Sequence, residues 1–430
     1  MARPKIGYFL YNFCWFMFAL PLFTFFILRN LMWRRPIKAY FWNITAAMLP
    51  KIQAKPIVWV QAASVGETVV ANVIITQLKQ LLPDYQILFT TTTPTGQAMA
   101  QKLLGDSAII TYFPFDFPWM MKRFTHMVQP KLFMMIETEI WPNAIRYSKA
   151  AGAKIAIVNG RISDRSFKRY RHFSSFLQEV FQDVDQFAMQ SSDDANRIGA
   201  IGATLERIAV SGNSKFDQEY PQFSAAQLDA FRKQYGWSKE RCIFTAASTH
   251  RGEEEQIIAT YLELLKIEPY ILILAPRHPN RAEEAMGLLK EAKLSFVRRS
   301  DQGSGSSSVL LLDTFGEFGI AYAVADVVFV GGSLVGIGGH NVLEAAAQSK
   351  PVIYGPYMHN FRESKRLLEE ADAGFTVHNA AELVQIIREL TSDLVLYKKR
   401  SNSARAAVLA NQGAALTTAQ LVADLVRINS

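Results

Sequence analysis

The sequence predicts an α/β protein of two domains, each a parallel sheet covered on both faces by helices, behind a basic and apolar N-terminal segment. Three observations carry this. From residue 57 onward, short apolar runs alternate with amphipathic stretches, the pattern of βα units. A second series of the same kind begins after residues 211–221. With 430 residues and 50% hydrophobic content, the chain has core enough for two or three domains and is far from disorder.

The N-terminal segment comes first. Residues 6–28 (IGYFLYNFCWFMFALPLFTFFIL) carry no charge. As a helix they would reach about 34 Å, enough to cross a bilayer core. A secretory leader would have a shorter apolar part and a small-residue cleavage site. Arg29, Arg34 and Arg35 follow instead, with Trp33 as an interfacial anchor. Basic residues after the stretch outnumber those before it, which directs the bulk of the chain to the cytoplasm. The alternative is an interfacial helix docked on the globular part, interrupted by Asn12 and Pro21. Residues 1–40 are therefore assigned as a membrane anchor, single-pass or interfacial, that localises the chain without entering its chemistry. The same segment explains the net charge of +8. Eight Lys/Arg precede the first acid, Glu67, and the other 38 basic residues balance all 38 acidic ones. The high isoelectric point thus marks the membrane end and implies no nucleic-acid partner.

In the first domain, strands are predicted at 57–61, 86–91, 108–112, 132–136, 154–158, 186–189 and 207–210, with helices such as 67–82 and 95–104 between them. In the second they fall at 242–246, 270–275, 294–298, 309–312, 326–330 and 351–354, followed by helices at 380–390 and about 403–426. Both domains read as Rossmann-like. The boundaries are 41–211 for the first, 212–222 for a linker, and 223–430 for the second, its last helix free to cross back. Ligands of such sheets bind at the carboxyl ends of strands, so the cleft between the domains is the expected site. Residues 301–308 (DQGSGSSS) read as a flexible surface loop.

Residues 331–344 (GGSLVGIGGHNVLE) follow a strand and open an Ala-rich helix. Glycines allow close backbone approach, a helix start attracts phosphate, and Glu344 could accept hydrogen bonds from ribose hydroxyls. A nucleotide-sugar site and a plain turning loop both fit. Residues 62–67 (AASVGE) stand where the first strand turns into the first helix. Glu67 there could take a proton from an attacking hydroxyl, or could simply complete a capping box with Ser64. Glu137 and Glu139 end a strand ahead of Trp141-Pro142, as cleft acids or as structural pairs. Residues 159–173 (NGRISDRSFKRYRHF) interleave Arg161, Arg165, Lys168, Arg169 and Arg171 with Phe167 and Tyr170. That suits an anionic amphiphile or a solvated helix face. Residues 113–119 (FPFDFPW) read as an apolar lip toward the membrane or a packed loop. Lys215 lies at the domain junction, Arg277 and His278 close a strand, and residues 313–317 precede a helix.

Cys14 and Cys242 offer no disulfide framework and suit a reducing compartment. The seven His form no HExxH pattern and no CxxC occurs, so no metal is indicated. Asp183-Val184-Asp185 lies at a helix end, outside the setting in which such a motif binds metal.

Taken together, ASVGE at 63–67, ETEIWPN at 137–143, NGRIS at 159–163, GNSKFD at 212–217, PRHP at 276–279 and the GGH-N-LE pattern at 338–344 resemble the 3-deoxy-D-manno-octulosonic acid (Kdo) transferases of lipopolysaccharide assembly. The resemblance runs along nearly the whole chain. It implies a two-domain fold of the GT-B type, an inverting displacement without metal or other cofactor, and transfer of Kdo from CMP-Kdo to lipid IVA, the tetraacylated, bisphosphorylated lipid A precursor. The implied location is the cytoplasmic face of the bacterial inner membrane. By motif, Glu67 matches the family's general base, and Glu137 and Lys215 match positions that stabilise the transition state. Pro276, Arg277, Phe315, Gly316, Glu317, Asn341, Val342, Leu343 and Glu344 match the segments that contact CMP. Arg161, Arg165, Lys168 and Arg169 are the residues the basic stretch offers to the acceptor. The competing readings are another lipid glycosyltransferase using a UDP-sugar, a nucleotide-sugar 2-epimerase of the same fold, and a non-catalytic membrane-tethered sensor.

Overall fold

The computed structural model describes residues 7–17, 44–301, 307–314 and 316–427. They form two compact units. The first runs to Gln218 and takes the chain back from Asn411; the second spans Glu219–Ala410.

The first unit holds a parallel sheet of β1 (Ile57–Gln61), β2 (Gln86–Thr91), β3 (Ala108–Tyr112), β4 (Leu132–Ile136), β5 (Lys154–Gly160), β6 (Gln186–Met189) and β7 (Ile208–Val210), in the order β3-β2-β1-β4-β5-β6-β7. The central runs are apolar because both faces are covered. All five residues of β1 and of β4 are buried. One face packs Trp59, Phe133 and Phe187 against helices such as Pro118–Val128 and Ser174–Phe181. The other packs Val58, Val60 and Met134 against Val65–Leu81 and the last helix, Ala414–Arg427.

The second unit repeats the plan with β8 (Ile243–Thr249), β9 (Ile271–Pro276), β10 (Val297–Arg298), β11 (Val309–Leu311), β12 (Val327–Val330), β13 (Val352–Tyr354) and β14 (Gly374–Thr376), in the order β10-β11-β9-β8-β12-β13-β14. In each sheet the order reverses beside the first strand, between β1 and β4 and between β8 and β12. The loops after those four strands therefore flank the crevices where open α/β sheets bind ligands.

Three differences from the sequence reading have local causes. β14 carries no sequence signal: its three residues lie between a helix and Ala380–Ser392 and are too short for a period-two pattern. The single helix expected near 403–426 is two, Leu394–Ala410 and Ala414–Arg427, because Gly413 adopts φ +100°. The strand expected at 294–298 is reduced to Val297–Arg298. Most of the 301–308 stretch lies outside the described residues.

Residues 7–17 of the apolar stretch form a helix. Tyr8 is buried, with Phe176 edge-on to its ring and the Arg146 guanidinium over it. Tyr11 stacks on Phe176 and donates its hydroxyl to Asp116 Oδ2 at 2.8 Å, and Asn143 Nδ2 donates to Asn12 Oδ1 at 2.7 Å. Asn12 thus ties the helix to the first unit. The opposite side, Phe9, Leu10, Phe13, Phe16 and Met17, is exposed. Among the described residues no helix is long and apolar enough to cross a membrane. The remainder of the predicted anchor, from residue 18 to 40, lies outside them.

Candidate functional site

At the β1/β4 switch point, the turn after β1 leads into Val65–Leu81 with Ser64 as its N-cap. Glu67 N donates to Ser64 Oγ at 3.4 Å. The Glu67 carboxylate reaches back, with Oε2 accepting from Ala63 N at 2.6 Å and Oε1 from Ser64 Oγ at 3.0 Å. The capping arrangement is therefore real, yet it leaves the carboxylate near other acids. Burial raises its pKa above the ordinary value, the Ala63 N–H opposes this, and the charge of Glu137 raises it again. A carboxylate so tuned is a stronger base than one in water.

Glu137 is the first residue past β4 and sits at φ +58°, a left-handed conformation rare outside glycine and frequent at functional sites. Its Oε1 accepts from Lys215 Nζ at 3.1 Å and its Oε2 from Arg161 Nε at 3.0 Å. Lys215 rides on a 3₁₀ turn, Ser214–Asp217. Asn213 Oδ1 accepts from Lys215 N at 3.0 Å, and Asn159 Oδ1 accepts from Ser214 N at 2.9 Å. The ETE, NGR and GNSK stretches, far apart in the chain, thus meet at one carboxylate.

Glu139 is a further member of this cluster. Gln61 Nε2 donates to it at 2.9 Å and Trp141 Nε1 at 3.3 Å, while Thr90 Oγ1 orients Gln61 by donating to its Oε1 at 2.6 Å. Burial pushes Glu139 up to about 7, the Gln61 amide opposes this, and the charges of Glu67 and Glu137 add to the rise. The sequence signal, two acids on one strand end, did not say which would be tied to cations and which would be left among its own kind.

The basic stretch divides. Arg161 pairs with Glu137, whereas Arg165, Lys168, Arg169 and Arg171 lie exposed on Asp164–Arg171. The acceptor set anticipated as one group is thus split by position: Arg161 precedes the helix and belongs to the carboxylate cluster. In residues 113–119, Phe113 and Phe117 are buried and Trp119 is exposed. Asp116 is buried and accepts from Ala144 N at 2.8 Å and Asn143 N at 3.0 Å, capping Pro142–Ala150. Burial pushes it up to about 7 against those donors and the Tyr11 hydroxyl. Asp185 of the DVD motif accepts from Lys149 Nζ and Ile155 N, a structural ion pair.

In the second unit the described residues matched to CMP contacts lie at or past the carboxyl ends of β9, β11 and β12, of which β12 borders the switch point. Pro276 ends β9, and Arg277 N donates to Thr249 O at 3.0 Å, leaving its side chain exposed. The Arg277 charge is felt by Glu344, whose pKa burial raises and Arg277 lowers. Asn341 Oδ1 accepts from Leu343 N at 3.1 Å, and Val342 and Leu343 are buried. Gly316 takes φ +82°, while Phe315 lies outside the described residues. The Glu317 carboxylate is bound by the Arg299 guanidinium at 2.6 Å and by Thr314, which holds its pKa below the ordinary value. Any contact Glu317 makes to a ligand is then made by its backbone or by one carboxylate edge.

Two features modify the sequence reading here. The Ala-rich helix is a single turn, Leu343–Ala347, rather than 342–348. So few aligned peptides sum to little dipole; the Arg277 charge, which reaches Glu344, is the stronger positive feature beside this turn. Secondly, residues 249–254 (THRGEE), which begin on the last residue of β8, hold an acid beside glycine at a strand's carboxyl end, a signal of the same kind as AASVGE that is absent from the candidates above. Glu253 is fully buried and accepts four backbone N–H bonds, from His250, Gly332, Ser333 and Leu334, at 2.7–2.9 Å. The rings of His250 and His340 stack with their Nε2 atoms 2.8 Å apart. Burial, followed by the charges of Arg277 and the neighbouring histidines, lowers His340 to about 4.

The family model for 3-deoxy-D-manno-octulosonic-acid transferase (kdotransferase) matches residues 41–218. A 3-deoxy-D-manno-octulosonic acid transferase of Haemophilus influenzae is 36% identical over 83% of this chain and 84% of its own length. The enzyme of that name from Bordetella pertussis is 34% identical over 91% of this chain and 95% of its own. Among solved structures, a glycosyltransferase from Rickettsia africae superposes with a TM-score of 0.59 at 16% identity, covering 87% of this chain and 100% of that one. A UDP-GlcNAc 2-epimerase from Neisseria meningitidis does so at 0.57 and 12%, with the same coverage. At such identities these two speak for the fold alone, the two-sheet architecture of GT-B glycosyltransferases and epimerases. The sequence relatives decide between those classes: the chain belongs to the 3-deoxy-D-manno-octulosonic acid transferases, a family of glycosyltransferases.

Proposed function

We propose that the protein transfers Kdo from CMP-Kdo to the lipid A precursor lipid IVA, in lipopolysaccharide biosynthesis, by an inverting displacement that uses no metal. The observation that carries the chemistry is the carboxylate cluster at the end of β1 and β4. Glu67, raised in pKa, takes the proton of the attacking acceptor hydroxyl as the new glycosidic bond forms. The bond from the Kdo anomeric carbon to the CMP phosphate breaks on the opposite side, so configuration inverts. Glu137, held by Lys215 and Arg161, presents a fixed charge pattern to the developing transition state without reorganising. CMP carries one phosphate, whose charge the Arg277 guanidinium can offset, and the scheme therefore needs no divalent ion.

The acceptor reading rests on two neighbouring surfaces of the first unit. Arg165, Lys168, Arg169 and Arg171 offer exposed guanidinium and ammonium groups to lipid phosphates. Phe9, Leu10, Phe13, Phe16 and Met17, with Trp119 against Phe16 and Phe173 beyond the basic helix, offer exposed apolar groups to the membrane interface. This supports an interfacial anchor at the cytoplasmic face of the inner membrane. The test is direct: the full-length protein is incubated with CMP-Kdo and lipid IVA in detergent, and products are weighed by mass spectrometry. A mass gain of one or more Kdo residues is expected. Hydrolysis of CMP-Kdo with unmodified lipid would overturn the acceptor assignment, and no reaction of CMP-Kdo at all would overturn the donor.

A further inference from the structure

Two buried carboxylates stand side by side at the start of Glu254–Leu265, and they are stabilised in different ways. Glu254 has a cation: Arg281 Nη1 lies 2.8 Å from it, and Thr249 Oγ1 donates at 3.0 Å. Among the described residues no basic side chain donates to Glu253. Its Oε2 accepts from His250 N at 2.9 Å and Gly332 N at 2.7 Å, and its Oε1 from Ser333 N at 2.9 Å and Leu334 N at 2.8 Å. Taking a carboxylate out of water is costly, and N–H groups converging on it are what make burial tolerable. Successive N–H groups of this kind form a concavity that would otherwise suit an external anion. Here the protein fills it with its own.

That filling connects the loop after β8 to the loop after β12 across the switch point. The backbone at the join is built around the carboxylate: a side chain on Gly331 would place its Cβ 2.7 Å from Thr249 Cα and 2.8 Å from Glu253 Oε2. The connection continues along the β12 loop. Gly332, at φ +68°, accepts at its carbonyl from Gly339 N at 2.7 Å, and its Cα faces the ring of His340, which a Cβ would meet at 2.8 Å. His340 is in turn stacked on His250, whose own N–H is held by Glu253. The next residue is Asn341, which starts the Asn341–Glu344 turn.

We propose that Glu253 is the positioning residue of the donor loop: an internal anion that organises residues 332–334 and, through Gly332 and His340, sets the 341–344 turn for the nucleotide. This rests on the reading that the 341–344 turn meets the CMP part of the donor. Glu253 itself touches no substrate. Its removal therefore acts on donor affinity and leaves the chemical step, which belongs to the first unit, largely intact.

The experiment compares wild type, Glu253→Gln, Glu253→Asp and His340→Ala, with Glu344→Ala as the donor-site reference. Calorimetry gives the affinity for CMP, and initial rates give KM for CMP-Kdo, KM for the lipid acceptor and kcat. Glu253→Gln sets an amide against four N–H donors, so KM for CMP-Kdo should rise about tenfold or more with kcat within about twofold. The acceptor KM should stay unchanged, and Glu253→Asp, which keeps the charge, should recover part of the loss. A purely structural role would lower the folded fraction, and with it apparent kcat, at unchanged donor KM; that result overturns the proposal. Should Glu253→Gln fail to fold, His340→Ala decides, since it lies on the same path: a wild-type donor KM there also overturns it. If wild type binds no CMP, or Glu344→Ala leaves CMP affinity unaltered while Glu253→Gln lowers it, the fault lies with the donor assignment of the 341–344 turn instead.

Discussion

Glu67 carries two duties that single-residue arguments tend to oppose. Its carboxylate closes the N-terminus of Val65–Leu81 and also feels the charge of Glu137. Replacement by Gln keeps hydrogen bonding to Ala63 and Ser64 possible and removes only the basicity. Glu67→Gln should therefore lower kcat on the order of 10² or more while leaving CMP affinity unchanged. Near-normal turnover by that variant would move the base elsewhere in the cluster. Glu139 yields a prediction of a different kind. Its pKa stands at about 7, above the ordinary 4.5, because it is buried beside Glu67 and Glu137. A raised carboxyl contributes stability that is complete below pH 4.5 and lost as pH rises through 7. Glu139→Gln stays neutral throughout, so it should match wild type in thermal melting near pH 4.5 and exceed it near pH 8.5, by on the order of 2–3 kcal/mol. Since the carboxylates titrate together, the acid limb of the pH–rate profile should also move to lower pH in this variant. Equal melting at both pH values would mean that Glu139 is ionised at little cost.

At the scale of elements, the helix at residues 7–17 is more than a tether. Its Tyr11 and Asn12 bond to Asp116, which accepts from the first N–H groups of Pro142–Ala150, and to Asn143 in the first turn of that helix, immediately after the Glu137–Trp141 loop. The expectation that the first forty residues serve location alone is thereby narrowed. Tyr11→Phe leaves Asp116 buried with one donor fewer and should cost about 1–3 kcal/mol in urea unfolding. Deleting residues 1–17 should both release protein from membranes and destabilise the first unit. A deletion that melts like wild type would reduce the docking contacts to incidental ones. The basic helix Asp164–Arg171 acts on another quantity. Arg165→Glu with Arg169→Glu reverses charge on exposed side chains, so folding should be unaffected while KM for the bisphosphorylated lipid rises. Wild-type KM should rise with added salt too, because the attraction is screened within about 10 Å at 0.1 M. Donor KM serves as the internal control. A lipid KM insensitive to both charge reversal and salt would remove this helix from acceptor binding.

At the scale of the molecule, the first unit is discontinuous in sequence. The chain leaves it at Gln218 and returns at Asn411. Asp217 holds the returning end, accepting from Gly413 N and, at 2.7 Å, from Ala415 N. Ala415, Ala419, Val422, Ala423 and Val426 then complete the core against Val65–Leu81. Val422→Ala should cost about 2 kcal/mol of first-unit stability from two lost carbons and the cavity behind them. A fragment ending at Gln218 should aggregate, and co-expression with residues 411–430 should restore solubility in part. A soluble, cooperatively melting fragment without that helix would show that the core closes on its own.

What the sequence determined by itself is what local pattern encodes. The βα alternation and two parallel sheets could be read directly, since strands buried on both faces are nearly continuous apolar runs and the helices between them are amphipathic. The motifs at strand ends were legible for the same reason: Glu67, Glu137, Lys215 and the 331–344 loop all follow apolar runs, where such sheets bind ligands. Only the tertiary structure decided which charges meet. Glu137, Arg161 and Lys215 are brought together by the order of strands, and that order is not written in any one segment. Glu253 is not legible in the sequence because a buried acid held by backbone N–H groups looks, in sequence, like any acid at a helix start; its four donors come from its own turn and from a loop about eighty residues away. The return of the last helix is invisible for a related reason. Its apolar stripe states that it must pack, and only the shape of the remaining core states against what.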